Sequence, residues 1–317
     1  MRLEYQILLA FALDLAVGDP HWLPHPVRGI ALLARALERG TRRVFRSERF
    51  AGIVTALVVY SACGFTAFGL LRLAGWFHPV AADVVSILLI YSTIAARDLA
   101  GHSLAVLGPL RRGDLPAARR KVAMIVGRDT DSLDEPGVVR AAVESVAEST
   151  VDGVTAPLLF AIVAGPVGAV VYRAINTLDS LFGYTDERYL KFGWASARID
   201  DLANWIPARL TAPLIALAAG LLAMRPLTAL RILARDGRKH ASPNSGLPEA
   251  AMAGAMGVQV GGRNFYAGQP LDKPTIGDPL TVLAARHIRQ ANALMFVTAG
   301  LFLAAGLAAR FAVMRFI

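Results

Sequence analysis

The stretch "AGIVTALVVYSACGFTAFGLLRLAG", residues 51–75, carries a single charged side chain, Arg72. Roughly 17–25 apolar residues are enough for a helix to cross a bilayer. This run therefore reads as a membrane span. Further blocks follow at 80–96, 156–175, 208–224 and 291–314, and a weaker one lies at 5–17. Mean hydropathy is +0.48 over 317 residues, with 55% hydrophobic and 18% charged residues. A soluble domain usually has more charge than this. The sequence predicts an all-α, polytopic integral membrane protein with about five to six membrane segments, some of them re-entrant. A soluble helical protein with unusually apolar helices is the alternative.

The weak first block is short and follows Arg2, as a signal peptide would. Glu4 and Asp14 interrupt it, and "AVGDPHW" (16–22) is no cleavage site, so it is expected to be retained. Cys63 lies inside an apolar block. As the one cysteine it can form no intrachain disulfide, and a small buried apolar role suits it.

The net charge is +9, which raises the question of nucleic acid. The cations stand beside the apolar blocks instead: Arg42, Arg43, Arg46 and Arg49; Arg111, Arg112, Arg119, Arg120 and Lys121; Arg231, Arg235, Arg238 and Lys239. Basic residues flanking spans mark cytoplasmic loops. They also favour anionic lipid, and no zinc-finger or helix-turn-helix pattern is present. Membrane lipid is thus an expected partner and nucleic acid is not. This places residues 19–49, 97–152 and 225–290 in the cytoplasm, with "WFHP" (76–79) as an outer turn. The block at 156–175 contains "AGPVGA" (164–169), where Gly and Pro can break a helix that lines a polar cavity. With no fixed-period repeat and no low-complexity linker, residues 1–317 read as one membrane-embedded domain. The long loops would form a cytoplasmic-face lobe.

Four polar constellations stand out. In "RAAVESVAESTVDGVTAPLLF" (140–160), Glu144, Glu148 and Asp152 are spaced four apart and can share one face of an α-helix. Clustered acids call for a cation, and Mg²⁺ takes oxygen ligands while keeping several waters. The competing reading makes "SVAE" (145–148) a capping box and Asp152 the cap of the apolar helix that follows. In 175–210, Asn176 with Asp179 and Asp200 with Asn204 have helical spacing, Asp201 adds a carboxylate, and Lys191 and Arg198 add cations. In 234–262, Arg235, Lys239 and His240 lead into "SPNSG" (242–246). Ser242, Asn244 and Ser245 favour turn amides that can hold an anion. Glu249 and a run of small residues suited to close helix packing follow. The P-loop pattern is absent. The fourth stretch, "GDPHWLPHPVRG" (18–29), has His21 and His25 four apart, but Pro24 intervenes and the zinc-protease Glu is missing. An interfacial turn anchored by Trp22 fits it better, with Arg28 available to a site. "GRDT" (127–130) contributes Arg128 and Asp129.

At these residues the sequence resembles the adenosylcobinamide-phosphate synthase family of cobalamin biosynthesis, known as CobD or CbiB. The resemblance runs through "LDLAVGDPHWLPHPVRGIA", "GRDT", "ESVAESTVDGVTAPLLF", "RAINTLDSLFGY", "KFGWASARIDDLANWIPARL" and "HASPNSGLPEAAMAGAMGVQVGG", and covers nearly the whole chain in order. It implies a multi-pass enzyme of the bacterial inner membrane with its active site towards the cytoplasm. Such an enzyme joins adenosylcobyric acid to (R)-1-amino-2-propanol O-phosphate, or to ethanolamine phosphate, through an amide bond. ATP would be the co-substrate and Mg²⁺ the metal, with no permanently bound cofactor.

On that resemblance, Glu144, Glu148, Asp152, Asp200 and His240 are the expected catalytic residues. Glu144, Glu148, Asp152 and Asp201 would hold Mg²⁺. The expected substrate and phosphate contacts are Arg28, Arg128, Asn176, Asp179, Lys191, Arg198, Asn204, Arg235, Lys239, Ser242, Asn244, Ser245 and Glu249. Other late enzymes of the corrinoid pathway are possible docking partners. A related branch resembles a membrane sensor of β-lactamase induction, and a corrinoid transporter is a third reading.

Overall fold

The computed structural model describes residues 1–20, 25–184, 186–266, 268–313 and 315. The chain opens with α1 (Leu3–Val17), α2 (Pro26–Val44), α3 (Glu48–Phe77) and α4 (Pro79–Tyr91). Shorter helices follow: α5 (Ala96–Leu104), α6 (Leu107–Arg111) and α7 (Leu115–Val122). Then α8 (Glu135–Thr150), a π-helical turn (Val151–Thr155) and α9 (Ala156–Phe182) form one continuous run. Next are α10 (Trp194–Ala203), α11 (Trp205–Leu221), α12 (Pro226–Asp236) and α13 (Gly246–Met256). Two strands, β1 (Val260–Tyr266) and β2 (Gln269–Ile276), precede α14 (Arg286–Val313).

Four of these helical runs are long and apolar enough to cross a membrane: Glu48–Phe77, Pro79–Arg111, Glu135–Phe182 and Arg286–Val313. The broken pair Trp194–Ala203 and Trp205–Leu221 makes a fifth if it is one span. The chain is therefore a helical membrane protein. α3 illustrates why. At 1.5 Å per residue its 30 residues extend about 45 Å, more than the roughly 30 Å hydrocarbon core. Phe65, Trp76 and Phe77 lie on it at 76%, 82% and 72% exposure, a cost that only lipid removes. α1 has 15 residues, short of a span on its own. The Gly–Pro break expected in 164–169 is present: Gly165 has φ 66° and ψ −162° inside α9, followed by Pro166.

The chain packs as two compact units, each discontinuous in sequence. The first comprises residues 1–95, 156–204 and 306–317; the second comprises 96–155 and 205–305. No linker announces the division, because the boundaries fall within or between helices. The core of the first unit gathers Ile30 and Ala34 of α2, Ala56, Val59 and Tyr60 of α3, and Ile175, Leu178 and Phe182 of α9 around Phe192. In the second unit the small residues of α13 permit close packing on α12. A Cβ on Gly254 would come within 2.7 Å of the Ala229 Cα and 2.8 Å of the Thr228 carbonyl oxygen.

The all-α expectation holds, with one small addition. β1 and β2 form an antiparallel hairpin, with Arg263 opposite Asp272 and Asn264 opposite Leu271. Its register shifts between Val260 and Gly262, where Gly261 and Gly262 have φ of 81° and 79°. Only glycine takes that backbone without strain, and it produces a bulge. A Cβ on Gly261 would also meet the Pro274 carbonyl oxygen at 2.2 Å.

Candidate functional site

α8 starts from Asp134, whose carboxylate accepts the Gly137 N–H at 2.8 Å, with Pro at the first turn. The capping box read into "SVAE" is thereby corrected: Ser145–Glu148 lies in mid-helix. Ser145 Oγ donates to the Ile125 carbonyl at 2.9 Å, tying α8 to the segment before "GRDT". Asp152 belongs to the same continuous helical run. It sits within the π turn, a feature that often marks functional positions.

Glu144 is buried and its carboxylate is fully engaged. Oε1 accepts the Gly261 N–H at 2.7 Å and Oε2 pairs with Arg128. Arg128 also donates to Asn264 Oδ1 at 2.7 Å. From the preceding turn of α8, Arg140 donates to the carbonyls of Gly261 at 2.6 Å and Arg263 at 3.2 Å. Asp129 completes the join: its N–H donates to the Phe265 carbonyl and its carboxylate accepts the Gly268 N–H. The hairpin is thus clamped on α8 and "GRDT" by charged side chains. Sequence reading missed Asn264, Arg140 and Lys273. The signal was a short polar-apolar run on either side of Gly268, a hairpin pattern inside a chain otherwise full of helices.

One turn on from Glu144, Glu148 is exposed and accepts the Ser245 hydroxyl at 3.0 Å. Ser245 belongs to the "SPNSG" turn, whose amides are already spent. Ser242 Oγ accepts the N–H groups of Asn244 and Ser245, and His240 Nδ1 accepts the Ser242 N–H at 3.0 Å. The anion nest expected at 242–246 is therefore closed on itself. Asn244 is buried and accepts from Arg209 at 3.3 Å.

Glu249, in the first turn of α13, is buried close to Glu144 and Glu148. Burial and then those two carboxylates raise its pKa well above the ordinary range, while Lys273 and Arg128 oppose the rise. His240 is held below the usual imidazole value, first by burial and then by Lys273. The second unit thus brings together Glu144, Glu148, Glu249 and His240 with Arg128 and Lys273.

Arg235 and Lys239 do something other than hold phosphate. Asp236, fully buried, accepts from Arg235 at 2.8 and 2.7 Å, from Lys239 at 2.7 Å and from the Gly277 N–H at 2.9 Å. Arg235 also pairs with Asp278 at 2.8 Å. Their charge joins α12 to the end of the hairpin, and the Arg235 ion pair holds the Asp236 carboxyl far below its ordinary value.

The first unit holds a separate polar cluster. Asp200 is buried on α10; its Oδ2 accepts from Asn204 at 2.9 Å, and Tyr172 donates to Asn204 Oδ1 at 2.7 Å. Asn176 and Asp179 of α9 face Asp200, as their spacing suggested. Asp200 Oδ1 and the buried Tyr60 hydroxyl have no hydrogen-bond partner among the described residues. Asp201 pairs with Arg198 at 3.2 Å on the exposed side. Arg28 and Lys191 are exposed in this unit, with no side-chain hydrogen bond or ion pair to a described residue. His25 caps α2 through Nδ1 and lies 3.5 Å from Asp19, whereas His21 and Trp22 lie outside the described residues.

Among the described residues, no group of three or more His, Cys, Asp or Glu side chains is placed to hold a metal ion. The four-carboxylate magnesium set is corrected accordingly. Glu144 is saturated by Arg128 and Gly261, and Asp201 is committed to Arg198.

A helical membrane protein with a buried acid-and-cation centre, built from loops and one hairpin, is the class these features define. The family described as CobD/Cbib protein matches residues 7–295. The chain belongs to that family. It is 54% identical over 290 residues to "Cobalamin biosynthesis protein CobD" of Geobacter metallireducens, covering 92% of this chain and 91% of that one. Its identity to the CobD protein of Klebsiella pneumoniae is 44% over 307 residues, covering 96% of each. "Cobalamin biosynthesis protein CbiB" of Salmonella typhimurium is 44% identical over 305 residues, covering 95% and 96%. No solved structure matches.

Proposed function

We propose that this protein is an adenosylcobinamide-phosphate synthase. It would join adenosylcobyric acid to (R)-1-amino-2-propanol O-phosphate, or to ethanolamine phosphate, with ATP cleavage. Family membership supports a place in cobalamin biosynthesis. The observation that carries the reaction is the convergence of Glu148, Glu249 and His240 with Lys273 and Arg128 in the second unit. A carboxylate is a poor electrophile. Its oxygen attacks the γ-phosphorus of ATP, ADP leaves, and an acyl phosphate results. The amine then attacks the acyl carbon, phosphate leaves, and the nitrogen gives up a proton. We assign Glu148 and His240 to take that proton; burial and then Lys273 hold the His240 imidazole below its usual value. Lys273 offsets the charge developing on phosphate. Mg²⁺, when bound with ATP, would neutralise phosphate charge, with Glu148 and Asp152 as its protein ligands.

In this reading the basic segments face the cytoplasm of a bacterial inner membrane, where both substrates and ATP are found. The test uses purified protein in detergent with the two substrates, ATP and Mg²⁺, read by mass spectrometry. The expected product has the mass of adenosylcobinamide phosphate. Glu148→Gln should lose turnover by about 100-fold or more while keeping its melting temperature. Full activity in that variant removes Glu148 from the mechanism. Unchanged substrates, while a competent relative converts them in parallel, would favour the sensor reading.

A further inference from the structure

We infer that a cavity at the start of α14 is a phosphate-binding site, distinct from the acid-and-cation centre and made for a phosphate ester or free phosphate at the membrane boundary. The cavity has a volume of about 270 Å³ and is lined by Arg225, Thr281, Arg286, His287 and Gln290, with Ala223 and Met256 among its walls. It lies at the C-terminal end of α13, about 10 Å along that helix from Glu249.

Four observations converge on an anion. First, Arg225 and Arg286 make no side-chain hydrogen bond or ion pair with any described residue. Arg231 and Arg235, by contrast, pair with Asp278. Second, Arg225 is not needed to satisfy the end of α13. The Ala255 carbonyl accepts the Arg225 N–H, the Ala253 carbonyl accepts the Gly257 and Val258 N–H groups, and the Thr281 hydroxyl serves the Met256 and Gly257 carbonyls. The guanidinium instead rests over Gly257, where a Cβ would meet its Nη1 at 1.6 Å.

Third, His287 is 1% exposed and its Nδ1 accepts the Ala284 N–H at 3.0 Å. The ring proton is therefore on Nε2 in the neutral form. The nearest acceptor for that N–H is Thr281 Oγ1 at 3.5 Å, too far for a good hydrogen bond. His287 therefore lines the cavity with a buried donor held only by this long contact. Gln290 adds a buried amide oxygen with no partner, and exchanging its amide atoms would present an NH₂ there instead. Fourth, the cavity faces the first turn of a 28-residue helix, whose dipole favours negative charge. Two guanidinium forks, an imidazole N–H and a helix start form the usual equipment for phosphate. Since α14 is long and apolar enough to span the bilayer, its first turn sits at the level of lipid headgroups.

The full chain in detergent tests this with two probes. Inorganic phosphate, compared with chloride at equal ionic strength, reports free phosphate through a thermal shift. Phosphatidylglycerol and phosphatidylcholine in mixed nanodiscs, followed by native mass spectrometry, report a headgroup. The wild type is expected to retain phosphatidylglycerol over phosphatidylcholine, or to be stabilised by phosphate. The double variant Arg225→Gln, Arg286→Gln should weaken that response by about tenfold or more, because two charged donors are lost. Both side chains are exposed and unpaired, so the variant should fold, and Arg231→Gln, which breaks an ion pair outside the cavity, should leave the response intact. Retention of phosphatidylglycerol without a phosphate shift assigns the headgroup; the reverse assigns free phosphate. If neither probe responds, or if the double variant responds like the wild type, the site is refuted. Turnover does not enter the readout, so failure here is separable from failure of the synthase reading.

Discussion

Glu144 and Glu148 stand one helical turn apart on α8, yet their surroundings give them different work. Glu144 is an internal tie, holding Arg128 and the Gly261 N–H within buried surroundings. Removing one partner of a buried pair typically costs about 3–5 kcal/mol, because the other charge is left uncompensated. Glu144→Gln should therefore lower the melting temperature in detergent sharply, whereas Glu148→Gln should not. Equal melting temperatures would show that the hairpin clamp is weak. Glu249 carries a pH signature with a definite sign. Its folded pKa lies above the ordinary glutamate value of about 4.3, so its contribution to stability is full below that value and is lost as pH rises through the folded pKa. The groups facing it are Glu144, Glu148, Lys273 and Arg128. His240 trends the other way, burial and then Lys273 lowering its pKa. The difference between wild type and Glu249→Gln isolates the term: Glu249→Gln should gain stability relative to wild type as pH rises from 5 to 8. A constant difference across that range would remove Glu249 as a buried, raised acid.

At the scale of elements, the meeting of α12 and α13 depends on the absence of side chains. "AMAGAM" reads in sequence as a surface for close packing, and Gly254 shows the tolerance to be almost nil. Gly254→Val should cost about 2–3 kcal/mol through overpacking, read as a lower melting temperature. A neutral outcome would mean the two helices separate easily. The hairpin was the element least legible beforehand. β2 is mostly exposed and β1 is buried without a strict alternation, so no period-2 pattern marks them. Their pairing is secured from outside by Arg140, Arg128 and Asp129, residues 121 to 139 positions earlier in the chain. The π turn at Val151–Thr155 was equally hidden, because regular spacing of acids suggests an unbroken helix.

For the whole molecule, exposed aromatic and aliphatic surface on the long helices demands lipid. On the orientation proposed above, residues 112–134 and 225–285 share the cytoplasmic side. Cysteines introduced at Arg112 and Arg238 in a Cys63→Ser background should be labelled by an impermeant maleimide in inside-out vesicles and not in intact cells. Labelling of either from outside would invert that assignment.

The sequence by itself determined the solvent. Uninterrupted apolar runs, flanking cations and helix-spaced polar pairs are local properties, and hydrocarbon rewards them wherever the chain places them. It also located most of the acids, amides and turns that matter, because Glu144, Glu148, Glu249 and Asp200 stand out against an apolar background. What those residues touch was decided by tertiary structure alone. Arg235 and Lys239 are indistinguishable in sequence from phosphate ligands until Asp236 is seen buried between them. Glu144 resembles a metal ligand until Arg128 and a hairpin amide reach it. Charged side chains in a dry interior take whichever opposite charge the fold delivers, and that delivery spans distances along the chain that no local pattern encodes.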